Sequence, residues 1–159
     1  MSAGIPAGHH SVTPYLCVAD AARALAFYKE AFEAEELCCM KQPDGRVGHA
    51  EIRIGDSRIM LADEFPEMAF RSPQHYHGSP IGIHLYVEDV DATVNRAIKA
   101  GAHLVQQVED RFYGDRNGTV EDPFGHRWFV STHIEDVSPD ELERRAAAQA
   151  AAAQTRTED

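Results

Sequence analysis

The sequence has few of the features that mark secreted, membrane-bound or nucleic-acid-binding proteins. Only 15 of its 159 residues are Lys or Arg, against 26 Asp and Glu, so the formal net charge is −11. That charge repels phosphate backbones and anionic lipid, and we expect neither nucleic acid nor a membrane surface as a partner. The N-terminus has no signal-like apolar stretch, and no later run could span a bilayer. We expect a cytoplasmic protein that binds a small molecule or another protein.

Cysteine is also scarce, which excludes a disulfide scaffold. Cys17, Cys38 and Cys39 form no paired framework, and their spacing from histidine does not match a zinc motif. We expect reduced thiols that fill buried or half-buried positions. The chain is 43% apolar over 159 residues, which is typical of a single domain with a substantial core.

An internal repeat organises the chain. Residues 16–20 match residues 85–89 as an apolar strand that ends at an acidic helix cap, at an offset of 69 between positions 20 and 89. Residues 54–56 match residues 124–126 at an offset of 70 between positions 55 and 125. A slip of one residue across a whole module indicates duplication of one structural unit.

Each copy of the repeat has the same predicted order of one strand, one helix and three strands. Period-two alternation and turn signals place the strands at about 11–18, 35–41, 47–54 and 57–62, and then at about 81–87, 104–109, 118–122 and 127–132. Asp20 caps the first helix, and Asp89 or Asp91 caps the second. The pattern predicts an α+β fold of two βαβββ modules with mixed open sheets, because a doubly wound sheet would need a helix between each parallel pair.

This repeat also sets the predicted domain limits. Residues 1–10 form an N-terminal extension and 11–137 a single domain, with module 1 at about 11–63, a linker loop at about 64–80 and module 2 at about 81–137. The linker is either a lid or an ordered crossover that packs its aromatic side chains at a dimer interface. We place a tight reversal at 113–118. Residues 138–159 begin with a Ser-Pro cap and continue as an alanine-rich tail, predicted to be a helix that frays.

Three segments resemble a known family. Residues 27–32 (FYKEAF), 49–56 (HAEIRIGD) and 114–128 (GDRNGTVEDPFGHRW) are similar to the PhnB-like branch of the vicinal-oxygen-chelate superfamily, which includes glyoxalase, bleomycin-resistance and dioxygenase proteins. The resemblance covers about residues 11–145. It implies that the two sheets form a cup, commonly completed in a paired homodimer, and that the cup either performs metal chemistry or simply binds a ligand.

The same resemblance implies where a metal would be held. Members of the family usually take one ligand from the first and one from the last strand of each module. By register those positions are Thr13, Ile59 (or Met60 if the gap shifts), Gly82 and Phe129. None supplies a strong ligand, so we predict no metal at the usual site and no cofactor.

Strand alternation predicts which side chains line the cup. Candidate ligand-binding residues are Tyr15, Cys17, His49, Glu51, His84, Tyr86, Glu121, Arg127 and Phe129, and Arg53, Thr119 and Ser131 share their face. Glu51 and Glu121 are equivalent at an offset of 70. His126 is expected on the opposite face in a structural role.

The candidate catalytic residues are His49, Glu51 and His84. Two imidazoles and a carboxylate can form an unconventional metal site or an acid–base pair, or they can hydrogen-bond to neighbouring strands and shape a pocket. Our leading hypothesis is a small-molecule-binding homodimer that sequesters an antibiotic or metabolite, with catalysis left open. The alternatives are a metal-dependent lyase, isomerase or dioxygenase with a non-canonical site, and a module that binds a partner through its tail.

Overall fold

The computed structural model describes residues 4–156 and confirms the α+β fold of two βαβββ modules. Module 1 contains β1 (Tyr15–Val18), α1 (Ala21–Phe32), β2 (Glu35–Lys41), β3 (Val47–Ile54) and β4 (Ser57–Asp63). Module 2 contains β5 (Gly82–Tyr86), α2 (Val90–Lys99), β6 (His103–Asp110), β7 (Asp115–Glu121) and β8 (Arg127–His133). A third helix, α3 (Pro139–Thr155), follows.

The strands form two four-stranded sheets of identical topology. Their orders are β1-β4-β3-β2 and β5-β8-β7-β6. The first and last strands of each module pair in parallel, and the other neighbours pair antiparallel. Each helix carries the chain from one edge of its sheet to the other. The sheets are therefore mixed and open, as the repeat predicts.

One apolar core lies between the helices and the sheets. Ile52 and Trp128 are fully buried on the helix-facing sides of their sheets. The α1 rings of Tyr28 and Phe32 reach across to Trp128, with ring centroids 5.4 Å and 4.6 Å from it. Burial of such side chains contributes about 1.5–3 kcal/mol each. The two modules thus share a core and form one folding unit.

Two strand starts differ from the sequence prediction by more than one residue. The first strand begins at Tyr15, not near residue 11, because Pro14 has no amide hydrogen to donate. The seventh strand begins at Asp115, because the chain reverses at residues 111–114 and not across 113–118. The amide of Arg111 bonds the carbonyl of Asp115, and Gly114 adopts φ of 98°. This conformation suits glycine, which has no Cβ.

The strand register corrects the predicted equivalence of Glu51 and Glu121. In module 1, Met60 pairs with Tyr15 and with Glu51. In module 2, Phe129 pairs with His84 and with Thr119. Met60 is therefore equivalent to Phe129, and Glu51 to Thr119. The β7–β8 hairpin is longer than the β3–β4 hairpin, so the offset read from Gly55 and Gly125 fails in the neighbouring strands.

The linker between the modules is ordered. It forms two short 3-10 turns, Pro66–Met68 and Pro73–Tyr76, and a bridge between Phe65 and Phe70. Glu64 accepts hydrogen bonds from the amide (2.8 Å) and hydroxyl (2.6 Å) of Ser72, which is buried.

The alanine-rich tail is helical from Pro139 to Thr155 and none of its residues is buried. Arg145 attaches this helix to the domain through the Phe112 carbonyl (3.0 Å) and the carboxylate of Glu135 (2.8 Å). Within residues 4–156, no helix combines the length and the apolar character that crossing a bilayer requires.

Candidate functional site

The open face of module 1, which is the side of its sheet turned away from α1, carries a polar cluster around Glu51. His49 contacts its Oε1 at 3.2 Å, while His9 and Arg58 contact its Oε2 at 3.5 Å and 3.2 Å. The hydrogen bond with His49 lowers the pKa of Glu51, and the Arg58 guanidinium acts in the same direction. The carboxylate is therefore held ionised and in one orientation. His9 and Arg58 were not among the residues predicted for the site.

His49 is held on both sides of its ring. The Tyr15 hydroxyl lies 2.8 Å from Nδ1, and Glu51 lies beside Nε2. Tyr15 in turn packs edge-on against Phe70 of the linker, with ring centroids 5.7 Å apart. Burial raises the pKa of Tyr15, which keeps its hydroxyl protonated. The linker therefore packs against Tyr15, the residue that orients His49.

Cys38 joins this cluster from the neighbouring strand. It lies directly opposite Glu51 in the β2–β3 pairing, and ligand atoms of Cys38, His49 and Glu51 all lie within 4.8 Å of one another. Sequence reasoning missed Cys38 because linear zinc motifs do not include residues paired across a hairpin. The available signal for Cys38 was the alternation of side chains along β2 and β3, read together with the turn at 42–46 that joins these strands.

The other two thiols lie elsewhere. Cys39 packs against the apolar core. Cys17, a predicted ligand-binding residue, is buried, and burial raises the pKa of its thiol to about 12. Cys17 is thus a poor nucleophile and forms part of the wall beneath the open face, in agreement with the expectation of filler.

His84 lies in module 2, away from the cluster of module 1. Its ring contacts Tyr86 and Phe129, with centroids 4.7 Å and 6.5 Å away. Within residues 4–156, no hydrogen bond or ion pair joins it to His49 or Glu51. The structure therefore brings together two of the three candidate catalytic residues and places the third in an exposed aromatic group on the second sheet.

A row of buried polar side chains lies beside that aromatic group. Thr119 and Ser131 are 3% and 0% exposed although both point to the open face of module 2. The Ser131 hydroxyl has no hydrogen-bond partner among the described residues. Asp115 and Asn117 share the row; Asp115 accepts from the Tyr86 hydroxyl at 2.9 Å.

The remaining predicted lining residues lie at the ends of the sheets. Glu121 and Arg127 pair with each other at 3.5 Å beside the linker, and Arg53 pairs with Glu35 on the outer edge of module 1. His126 is buried, and its Nε2 lies 2.8 Å from the carbonyl of Cys17, so it connects the two modules.

The residues at the family's usual metal positions do not fit a metal. Ile59 is buried in the core, so Met60 occupies the open-face position in its strand. Thr13 precedes β1. A side chain at Gly82 would collide with the ring of Phe129, which covers it. A thioether, a hydroxyl and an aromatic ring offer no set of nitrogen and carboxylate ligands here.

This paired-module fold is that of the family suggested by the sequence. The family model described as Glyoxalase/Bleomycin resistance protein/Dioxygenase superfamily matches residues 8–130. The chain belongs to this superfamily.

Particular relatives support the assignment. Protein Mb0911c of Mycobacterium bovis is 42% identical over 142 residues, which cover 87% of this chain and 93% of the relative. The solved Arabidopsis thaliana gene product At5g48480 is 28% identical, with a TM-score of 0.63 over 77% of this chain and 98% of that chain. TioX from Micromonospora sp. ML1 is 25% identical, with a TM-score of 0.60 over 79% of this chain and 99% of that chain.

Proposed function

We propose that this protein binds an aromatic or heterocyclic small molecule on the open face of module 2 and sequesters it, as a member of the superfamily without the usual metal ligands. The observation that carries the proposal is the buried hydroxyl of Ser131, which has no hydrogen-bond partner within residues 4–156 and lies beside an exposed aromatic surface. An antibiotic or a metabolite with a ring and a polar substituent has the matching chemistry.

The Ser131 hydroxyl favours a ligand with a hydrogen-bonding group. A buried polar group without a partner costs about 1–3 kcal/mol. Because the hydroxyl is fully buried, a ligand must displace the side chains that cover it before a hydrogen bond to it recovers that free energy. Thr119 lies on β7, two positions from Asn117, which pairs with Ser131. It offers a second hydroxyl that is also buried.

The aromatic side chains favour a planar ligand. Tyr86 is 61% exposed and Phe129 is 39% exposed, with His84 between them in ring contact with both. Exposed rings grouped on one strand pair are unusual on a surface that faces only water. Offset or edge-on stacking of a ligand ring on these side chains contributes about 0.5–1.5 kcal/mol beyond area burial.

A second copy of the chain is the partner that would close this face. The free edge of β5 borders a cleft of about 1260 Å³, whose other wall comes from the β3–β4 hairpin and the segment before β1. Val12 and Ile81, which flank this region, are 85% and 72% exposed. Burial of these apolar groups would favour a homodimer. The three free cysteines fit a reducing compartment, and we propose the cytoplasm.

Thermal unfolding against a panel of aromatic antibiotics and metabolites tests the proposal. A ligand at 100 times its Kd stabilises the protein by about 2.7 kcal/mol. Phe129→Ala should abolish the shift, whereas Tyr76→Ala, which removes a more exposed ring in the linker, should keep it. Stabilisation by no compound, or equal loss in both variants, would refute the proposal. Light scattering of the purified chain measures the oligomeric state.

A further inference from the structure

We infer that Cys38, His49 and Glu51 form a binding site for one divalent cation of the zinc class on the open face of module 1. These residues lie on the β2–β3 pair, whereas the family's usual positions lie on the first and last strands of each module; Glu51 pairs with Met60 on the neighbouring last strand. The inference concerns a different sheet from the proposed ligand surface and stands independently of it.

The donor set and its spacing match zinc. A thiolate, an imidazole nitrogen and a carboxylate oxygen are the ligands that zinc takes in proteins, at about 2.0–2.3 Å. In a tetrahedral site with such bonds, neighbouring ligand atoms are about 3.3–3.8 Å apart. His49 Nε2 and Glu51 Oε1 are already 3.2 Å apart, and all three ligand atoms lie within 4.8 Å of one another. Because a separation of up to 4.8 Å exceeds the tetrahedral spacing by about 1 Å, the side chains must draw together when the cation binds.

Neighbouring residues hold the ligands in the orientation that binding requires. The hydroxyl of Tyr15 lies 2.8 Å from Nδ1 of His49, so an Nδ1–H tautomer that donates to Tyr15 leaves the Nε2 lone pair free for the metal. Arg58 and His9 contact Oε2 of Glu51 and leave Oε1 directed towards His49. Such outer contacts are typical of metal sites, whose ligands are oriented by a second set of hydrogen bonds.

The two anionic ligands match the charge of the cation, and the Arg58 guanidinium at Oε2 of Glu51 adds one positive charge beside the site. Binding releases the thiol proton of Cys38 to solvent, so a thiolate and a carboxylate face the two positive charges of the cation. His49 binds as a neutral imidazole. Three protein ligands leave a fourth position for water or for another molecule, which is the arrangement of open zinc sites.

Metal titration of the untagged, full-length protein tests the inference. After dialysis against a chelator and then metal-free buffer, the protein is titrated with ZnCl₂ in competition with a chromophoric chelator, and separately with CoCl₂. We expect one equivalent of zinc and a thiolate-to-cobalt charge-transfer band. Glu51→Gln and His49→Ala should each weaken zinc binding at least tenfold. Cys38→Ser should abolish the band.

Cys39→Ser is the matched control, because Cys39 is the adjacent residue in β2 but packs against the core. It should keep the band and the zinc stoichiometry, and Ser131→Ala should keep both as well. Circular dichroism of each metal-free variant checks folding; Cys38→Ala replaces Cys38→Ser if the latter unfolds. Less than one equivalent of zinc in the wild type, or equal loss in the Cys38 and Cys39 variants, would overturn the inference. Ligand binding at module 2 is measured separately, so each proposal can fail alone.

Discussion

The hydroxyl of Tyr28 in α1 donates a 2.6 Å hydrogen bond to Asp122 in the β7–β8 hairpin and joins the helix of one module to the sheet of the other. Trp128 Nε1 donates to the same carboxylate oxygen at 2.9 Å. The other oxygen accepts the amides of Phe124 and His126, each at 2.9 Å. Tyr28 and Trp128 are fully buried, and burial together with the neighbouring carboxylate raises the pKa of Tyr28 well above its usual value.

Tyr28→Phe should therefore lower the free energy of unfolding by about 1.5–3 kcal/mol, the contribution typical of a buried hydrogen bond to a charged group. Urea denaturation followed by circular dichroism measures the change. Tyr76→Phe, at an exposed linker position, is the control and should have almost no effect. Equal stability of the wild type and Tyr28→Phe would show that the bond contributes nothing net.

Ser131→Ala should have opposite effects on the free protein and on its complex. In the free protein the substitution removes a buried hydroxyl that has no partner within residues 4–156, so stability should stay constant or rise by about 1 kcal/mol. With a ligand that bonds Ser131, affinity should fall about tenfold, which corresponds to one hydrogen bond. Calorimetric titration and urea denaturation measure the two effects. Substantial destabilisation of the free variant would indicate that the hydroxyl already has a partner in solution.

The contact between Glu64 and Ser72 predicts a dependence of stability on acid. The Ser72 hydroxyl, and then its amide, lower the pKa of Glu64 below its ordinary value of 4.5. A carboxyl whose pKa is lower in the folded state contributes stability that is present above its unfolded pKa and disappears as the pH falls through its folded pKa. In the Ser72→Ala variant, the free energy of unfolding should therefore fall less steeply as the pH drops below about 4.5. Unfolding curves collected through the acid range check this, and Ser11→Ala, at an exposed position before β1, should match the wild type.

His133 should titrate above its ordinary pKa of 6.5, because Asp115 and then Asp136 hydrogen-bond to its ring. The Asp115 contact is 2.7 Å long. A histidine pKa raised by folding stabilises the protein below the unfolded pKa, and this contribution disappears as the pH rises through the folded pKa. Asp115→Asn should return the pKa of His133 towards 6.5 and shift it more than Asp136→Asn does. Nuclear magnetic resonance of the imidazole protons gives both values. A larger shift of the His133 pKa in Asp136→Asn would show that Asp136, and not Asp115, is the main cause of the raised pKa.

The β2 and β3 boundaries were predicted to the residue. In β3 the alternation of apolar and polar residues follows the alternation of buried and more open positions, whereas no residue of β2 is buried. The repeat was sufficient to predict two modules of the same topology. Pairing across strands was not predictable to the residue, because the β7–β8 hairpin is longer than its counterpart. The equivalence of Glu51 with Glu121 was wrong for this reason, and at the position of Phe129 the alternative Met60 holds in place of Ile59.

The sequence by itself determined the fold class, the duplicated modules and the face of each strand that meets the core, because these depend on local periodicity and on the burial of apolar side chains. Only the tertiary structure decided which polar residues meet. It brought Cys38 and His9 to Glu51 and kept His84 with Tyr86 and Phe129 on the other sheet. It also buried Ser131 without a partner among the described residues. Such contacts depend on strand register and on the packing of distant segments, and local sequence carries little information about either.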